Sequence, residues 1–248
     1  LTNDAKKFID AAKEIKELGY DEINLNLGCP SGTVVAKKRG SGFLADPDIL
    51  DRFLYEIFEG SDMKISIKTR LGIREVEEFE EILEVYNHYK MEELILHPRL
   101  QKEMYKYPVH REVVADILTQ ATNPICYNGD IYTLQDGIQT IEEFPQIIGL
   151  MLGRGSIINP ALARQLKGGI PLQKEELRCF HDKLYQVNQE YLSGDTNLLY
   201  RMKAYWYYFI MNFEGYEKIY KKLCKCTKLA VYHQLVDDIF KELKFNHE

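Results

Sequence analysis

The sequence predicts an α/β fold of the TIM (β/α)8-barrel type, followed by a small all-helical domain. Short strand-like segments alternate with helical segments up to about residue 168, and only long helical patterns follow. The chain has 248 residues, of which 45% are apolar, so it can bury a large core. These observations favour one large α/β domain with a helical appendage.

Five segments have the composition and length of short buried strands, and they alternate with helical segments. The predicted strands cover residues 22–26, 64–68, 93–97, 124–128 and 147–151. The predicted helices of this region cover residues 4–18, 47–58, 76–88, 110–119 and 133–141. The helices between strands are long enough to return the chain to the start of a parallel neighbour, so we expect βα repetition.

The last part of the chain has helical periodicity and no strand pattern. It predicts helices over residues 174–192, 198–213 and 216–241, and a boundary at Gly168-Gly169-Ile170-Pro171. We therefore expect a partial βα-barrel domain over residues 1–168 and a helical domain over residues 169–248. A complete barrel has eight strands in about 250 residues. Only five βα units are evident and the chain opens on Leu1, so we expect the sequence to begin part-way through a longer protein.

Composition excludes several classes of protein. No apolar run is long enough to cross a bilayer and no secretory signal opens the chain, so we expect a soluble, cytoplasmic protein without membrane contact. The five cysteines lack the spacing of a disulfide framework or a metal site. Cys224 and Cys226 come nearest, but one intervening residue on a predicted helix directs their thiols to different faces. We expect no bound metal.

The net charge of −6 argues against unspecific binding to a polyanion, because such binding depends on Lys and Arg. Contacts to a nucleic acid would therefore need local basic patches. Two candidates are Lys37-Lys38-Arg39 and the series Lys221, Lys222, Lys225 and Lys228. Each is more typical of a solvated helix face than of a binding site.

Polar or glycine-rich positions stand at the carboxyl end of every predicted strand or just beyond it. In chain order they are Asn26 and Cys29, Lys68 and Arg70, His97 and Arg99, Asn128 and Asp130, and Gly153 and Arg154. The carboxyl ends of barrel strands converge on one face, where barrel enzymes place their active sites. Five such positions in succession favour one shared site over chance.

Cys29 is the strongest candidate for chemistry. A free cysteine is more often a small buried hydrophobic residue, but this one lies between Gly28 and Pro30 beyond a strand end, where reactivity is favoured. Lys68 either points into the site or extends to its rim. His97 is either structural or contacts a ring or a phosphate beside Arg99.

Two later loops have the composition of phosphate-binding loops. "NGDIYTL" and "MLGRGSIINP" follow the fourth and fifth predicted strands, and barrels often bind phosphate in the loops after their last two strands. Backbone amides would hold the phosphate and Arg154 would add a charge-assisted hydrogen bond. Taken singly, Gly153-Arg154-Gly155 is also compatible with a plain loop that carries a surface arginine.

Together the strand-end motifs resemble the tRNA-dihydrouridine synthase family. "INLNLGCPS" is similar to its catalytic signature and is followed by "GSGFLADP", "SIKTRLG", "LILHPRLQ", "PICYNGDI" and "GLMLGRGSIINP" in the family's order, up to Pro160. "RMKAYWYYF" resembles, more weakly, a pattern in the family's helical tRNA-contacting domain, with Ala204 in place of a histidine.

The resemblance implies a flavoenzyme that binds FMN, takes electrons from NADPH and reduces uridine to 5,6-dihydrouridine in tRNA. It implies that hydride from the flavin adds to carbon 6 of a flipped-out uracil while Cys29 protonates carbon 5 as general acid. Substrate contacts are then assigned to Asn26, Arg99, Arg201 and Lys203. Cofactor contacts are assigned to Lys68, His97, Asn128, Gly129, Asp130, Gly153 and Arg154. A monomer is expected for the full-length protein.

The sequence departs from the family pattern at its start and leaves two alternatives open. The family's opening "APM" strand and a later flavin-contacting glutamine are not found, so these residues alone are expected to bind flavin weakly and to show little activity. One alternative is another FMN barrel, such as a dihydroorotate-type dehydrogenase. The other is a non-catalytic RNA-binding fragment that grips tRNA through Arg201, Lys203 and Tyr207.

Overall fold

The computed structural model describes residues 1–246, in which the chain forms five β-strands and twelve α-helices. The strands are β1 (Glu22–Asn26), β2 (Lys64–Gly72), β3 (Leu94–Leu100), β4 (Ile125–Tyr127) and β5 (Gly149–Leu150). The helices are α1 (Ala5–Glu17), α2 (Gly32–Val35), α3 (Pro47–Gly60), α4 (Glu78–Asn87), α5 (Val114–Gln120), α6 (Leu134–Glu143), α7 (Arg154–Ile158), α8 (Leu162–Leu166), α9 (Lys174–Tyr191), α10 (Asp195–Phe209), α11 (Glu217–Lys225) and α12 (Leu229–Glu242).

The strands form one parallel sheet in the order β1-β2-β3-β4-β5, which confirms the α/β class and the five βα units. Sequence order equals spatial order because each helical connection returns the chain to the next position in the sheet. Strands β2 and β3 are longer than predicted: Arg70 pairs with His97 and Gly72 with Leu100 across a register irregularity. Arg70 and Arg99 therefore lie within strands and not in the loops that follow them.

The two faces of the sheet differ in chemistry. Side chains such as Leu25, Ile67 and Leu96 point to one face, where they form a buried core with α1, α3 and α4. The opposite face carries the alternate residues, which are mostly polar. On this face the Asn24 amide donates a hydrogen bond of 2.9 Å to Ser66 Oγ. The sheet therefore has an apolar helix-covered face and a polar face.

Local signals in the sequence account for the helix starts near the sheet. The Asp4 carboxylate accepts a hydrogen bond from the Lys7 amide at the start of α1, and Asp46 accepts one from the Ile49 amide at the start of α3. Pro47 occupies the first turn of α3, where a missing N–H costs nothing. These caps explain why the two helices begin close to their predicted positions.

The described chain divides into two compact units. The first comprises Leu1–Asp130 and Thr140–Met151, and the second comprises residues 131–139 and the chain from Leu152 onward. The second unit has its own helical core, which surrounds Trp206 and Phe209. The segment from 152 to 168 thus groups with the helical region, and the domain boundary near residue 168 stays a prediction.

The prediction of a single helix over residues 216–241 is wrong. The chain forms two helices, α11 and α12, and between them Cys226 has an extended conformation (φ −64°, ψ 142°). The Lys203 ammonium donates hydrogen bonds to the carbonyls of Cys224, at 3.1 Å, and Cys226, at 2.5 Å. It thereby takes up carbonyl groups that a continuing helix would have used. The short helices α2, α7 and α8 were also not predicted.

Candidate active site

The loop that carries Cys29 is held by hydrogen bonds on both sides. The Asn26 Oδ1 atom accepts hydrogen bonds of 3.1 Å from the amides of Gly28 and Cys29. On the other side of the loop, the Cys29 carbonyl accepts two hydrogen bonds from Ser41, one from its hydroxyl at 2.9 Å and one from its backbone amide at 3.1 Å. The half-buried thiol of Cys29 is therefore carried by a backbone that is fixed in place.

Two further side chains complete the support of this loop. The Arg70 Nε atom donates a hydrogen bond to the Gly28 carbonyl at 3.0 Å, and the side-chain amide of Gln101 donates one to the Pro30 carbonyl at 3.2 Å. Gly40, at φ +55°, lies against the loop, and a Cβ atom there would come within 2.8 Å of the Cys29 carbonyl oxygen. Glycine is required at position 40 for both its conformation and its closeness to Cys29.

Lys68 lies on the polar face of the sheet in one row with Asn26. The register pairs Asn26 with Lys68, Lys68 with Ile95 and Ile95 with Cys126, so all four side chains point to that face. Burial, and then the nearby positive charge of Arg70, lower the pKa of Lys68 to about 8. A partly desolvated ammonium of this kind would stabilise negative charge on a bound group.

Arg70 lies one row higher on the same face and is fully buried. Besides Gly28, its guanidinium donates to the Leu100 carbonyl at 2.9 Å, and the Tyr105 ring lies 5.1 Å from its Cζ atom. Within residues 1–246 the buried Nη2 atom has no hydrogen-bond partner. A buried donor without an acceptor is costly, and an acceptor on a bound ligand would satisfy it.

His97 and Arg99 form a buried network that reaches the loop after β4. Arg99 pairs with the Asp130 carboxylate, donates to the Tyr107 carbonyl at 2.6 Å and lies 3.2 Å from His97 Nε2. Because a guanidinium only donates, His97 Nε2 accepts and the ring proton is on Nδ1. Asp130 has a left-handed φ of +47°, a costly conformation that the pairing with Arg99 holds in place.

Asn128 and Gly129 lie beside this network. The Asn128 side-chain amide donates to the Met151 carbonyl at 2.7 Å, which joins the ends of β4 and β5. A Cβ atom at Gly129 would come within 2.7 Å of Val109 and 3.6 Å of His97. The structure thus brings eight predicted residues together on the first unit: Asn26, Cys29, Lys68, His97, Arg99, Asn128, Gly129 and Asp130. Their individual roles stay predictions.

The other predicted site residues belong to the second unit. Gly153 precedes α7, and Arg154 lies 5.1 Å from the centre of the Tyr132 ring. Gly155 packs so closely on the Ile131 carbonyl that a Cβ atom would lie 2.1 Å from it. Arg201 is exposed on α10, whereas Lys203 binds the two carbonyls at the end of α11. The tRNA contacts assigned to Arg201 and Lys203 stay predictions.

Several residues that shape the site were missed in the sequence. They are Ser41, Gln101 and Tyr105. Ser41 is 12 residues from Cys29 and Gln101 is 71 residues from Pro30, whose carbonyls they bind, so no local sequence pattern marks them. Among residues 1–246, no group of three or more His, Cys, Asp and Glu side chains could hold a metal ion. No described helix is both long and apolar enough to cross a membrane.

A cysteine on a hydrogen-bonded strand-end loop, beside a buried arginine on the polar face of a parallel sheet, is typical of an enzyme of the α/β class. Comparison with known proteins makes this specific. The model of the dihydrouridine synthase (Dus) family matches residues 1–244, and the chain belongs to this family. The resemblance of the strand-end motifs is thereby confirmed, and the dihydroorotate-type alternative is set aside.

Curated relatives have matching names. A probable tRNA-dihydrouridine synthase of Staphylococcus aureus is 26% identical over 239 residues, covering 94% of this chain and 71% of the relative. The tRNA-dihydrouridine(16) synthase of Neisseria meningitidis serogroup A is 33% identical over 171 residues, covering 67% of this chain and 50% of the relative.

Two solved structures align with part of the chain at low identity. Histamine dehydrogenase from Rhizobium sp. 4-9 aligns at a TM-score of 0.48 with 17% identity, covering 66% of this chain and 27% of that one. Morphinone reductase in complex with tetrahydroNAD aligns at a TM-score of 0.48 with 16% identity, covering 68% of this chain and 50% of that one.

Proposed function

We propose that the protein reduces uridine to 5,6-dihydrouridine in tRNA, with FMN as cofactor, NADPH as electron donor and Cys29 as general acid. The observation that carries the proposal is the fixed Cys29 loop next to buried Arg70, with half-buried Lys68 on the same face of the sheet, in a chain of the dihydrouridine synthase family. The printed names of the relatives support tRNA as the substrate. A cytoplasmic location belongs to the same proposal.

The donors on the polar face suit a flavin. The unpartnered Nη2 atom of Arg70 and the desolvated ammonium of Lys68 can bind the electron-rich edge of such a ring, and His97 lies in the row of Arg70. Asn128, Gly129 and Asp130 at the end of β4 are candidates for the ribityl chain, and the assignment of Gly153 and Arg154 to the phosphate stays a prediction from the sequence. When bound and reduced, FMN supplies a hydride.

The residues of this chain account for the proton. Addition of hydride to carbon 6 of uracil leaves enolate-like charge that is quenched when carbon 5 gains a proton. The Cys29 thiol delivers that proton as its S–H bond breaks and a C–H bond forms at carbon 5. Its half-buried position lets the resulting thiolate regain a proton from water. Asn26 fixes the direction of the thiol through the amides of Gly28 and Cys29.

Cofactor content and product together test the proposal. The purified full-length protein should be yellow with flavin absorbance at about 450 nm, and with NADPH it should form dihydrouridine in unmodified tRNA transcripts, detected by mass spectrometry of nucleosides. A colourless protein that still retards tRNA on a gel would instead indicate the RNA-binding alternative. Flavin without dihydrouridine in any tRNA would refute the assigned substrate.

Lys68 predicts a fall in activity at alkaline pH. Because its pKa is lowered to about 8, its positive charge is present at neutral pH and is lost as the pH rises through about 8. If this charge offsets negative charge on the reduced cofactor, single-turnover reduction of uridine should fall about tenfold between about pH 7 and about pH 9. Lys68→Met should reduce uridine slowly at every pH, without the fall in rate between about pH 7 and about pH 9. If the rate of Lys68→Met falls with pH as in the unmodified protein, Lys68 is not the cause of the fall.

A further inference from the structure

His110 makes two contacts that only its charged form can satisfy. Its Nε2 atom lies 2.8 Å from Glu103 Oε1, and its Nδ1 atom lies 2.9 Å from Glu112 Oε1. Ionised carboxylates only accept hydrogen bonds, and a neutral imidazole has a single N–H group. Both contacts are therefore made together only when His110 is an imidazolium.

The segment that His110 closes, residues 101–110, is the loop after β3, and we call it the 101–110 loop. At its start the other oxygen of Glu103 accepts from the Leu100 amide at 2.8 Å, and at its end the His110 amide donates to the Pro98 carbonyl at 2.7 Å. Met104 inside the loop has a left-handed φ of +56°. Such a conformation is costly for a methionine, so contacts elsewhere must hold the loop.

The 101–110 loop covers part of the candidate active site. The Tyr105 ring is stacked on His97 at 6.0 Å between centroids and lies 5.1 Å from the Arg70 guanidinium carbon. Gln101 at the start of the loop supports the Cys29 loop through the Pro30 carbonyl. Loosening the 101–110 loop would therefore expose the row of Arg70 and His97.

We propose that His110 is a positioning residue: as an imidazolium bound to Glu103 and Glu112 it latches the 101–110 loop over Arg70 and His97, and loss of its proton releases the loop. The effect on uridine reduction rests on the proposed function, whereas the latch itself does not. Burial alone would lower the pKa of His110, but its hydrogen bonds to the two glutamates outweigh burial and raise the pKa above its ordinary value.

Three charged side chains on β3, in the loop and next to His110 in the sequence have partners of their own. On β3, Arg99 is paired with Asp130, and on the turn that follows the loop, Arg111 is paired with Glu143. Lys102 in the loop lies 3.4 Å from Glu75. Glu103 and Glu112 are thus the groups whose contacts change when His110 titrates.

Trypsin reports the state of the loop without cofactor or tRNA, because Lys102 and Lys106 lie inside it. In the full chain, cleavage after these lysines, relative to cleavage after exposed Lys167, should rise about tenfold between about pH 6 and about pH 9. The midpoint should match the titration of the His110 ring followed by NMR. In His110→Gln the relative cleavage should be high at both pH values.

His88→Gln is the matched control, because His88 is exposed and, among the described residues, its ring pairs with one carboxylate, that of Asp51, at 3.4 Å. In this variant the relative cleavage of the 101–110 loop should depend on pH as it does in the unmodified protein. Cleavage that does not change with pH in the unmodified protein would overturn the latch, and this result needs no variant to fold. The latch would also be overturned if the pH dependence of relative cleavage were the same in His110→Gln and His88→Gln. If the chain lacks flavin or forms no dihydrouridine, the proposed function fails while the proteolysis result stands.

Discussion

Replacing Cys29 by alanine is expected to lower the rate of uridine reduction by about a hundredfold to ten-thousandfold, the usual contribution of a positioned general acid. The backbone of the loop should persist, because the Cys29 amide and carbonyl bind Asn26 and Ser41 and the thiol is not part of these contacts. Flavin content and tRNA affinity should therefore change little. The measurement is single-turnover conversion of uridine to dihydrouridine by the reduced full-chain protein.

Cys179→Ala serves as the matched control, because Cys179 is an exposed free cysteine on α9 in the second unit. It should turn over at the unmodified rate, which separates loss of the acid from a general effect of removing a thiol. Unimpaired turnover by Cys29→Ala would show that another group protonates the substrate. Loss of flavin from Cys29→Ala would instead show that the loop is needed to hold the cofactor.

The fold was predictable where one short segment contains the whole signal. Alternation of apolar strands and amphipathic helices predicted all five strands, because each strand buries one face against helices whatever its partner. The strand-end position of Asn26 and Cys29 was also predictable, since a glycine and a proline flank the cysteine directly after a strand. The same reasoning predicted the strand-end residues that the first unit brings together.

What the sequence could not reveal depends on contacts between distant residues. The role of Arg70 follows from the Gly28 carbonyl 42 residues earlier and the Leu100 carbonyl 30 residues later. Backbone pairing between β2 and β3, of Arg70 with His97 and of Gly72 with Leu100, likewise extends both strands beyond their predicted ends. The break between α11 and α12 depends on Lys203, more than 20 residues away in sequence. Helical periodicity continues through the break, so the pattern alone predicted a single helix.

Arg70→Met is expected to lower the free energy of unfolding by about 2–6 kcal/mol, because two buried carbonyls would lose their donor at roughly 1–3 kcal/mol each. Methionine fills a similar volume, so the loss should come from the Gly28 and Leu100 carbonyls and not from a cavity. Urea denaturation followed by circular dichroism measures it. Arg52→Met, at an exposed arginine of α3, should change the free energy of unfolding by no more than about 0.5 kcal/mol.

The same substitution should loosen the Cys29 loop, since Arg70 is what ties the Gly28 carbonyl to the sheet. Alkylation of Cys29 by iodoacetamide, located by mass spectrometry, should then be faster in Arg70→Met than in Arg52→Met under native conditions. Equal alkylation and equal stability in the two variants would mean that Asn26, Ser41 and Gln101 suffice to hold the loop. Arg70 would then be free to serve a ligand alone, through the Nη2 atom that has no partner in the described chain.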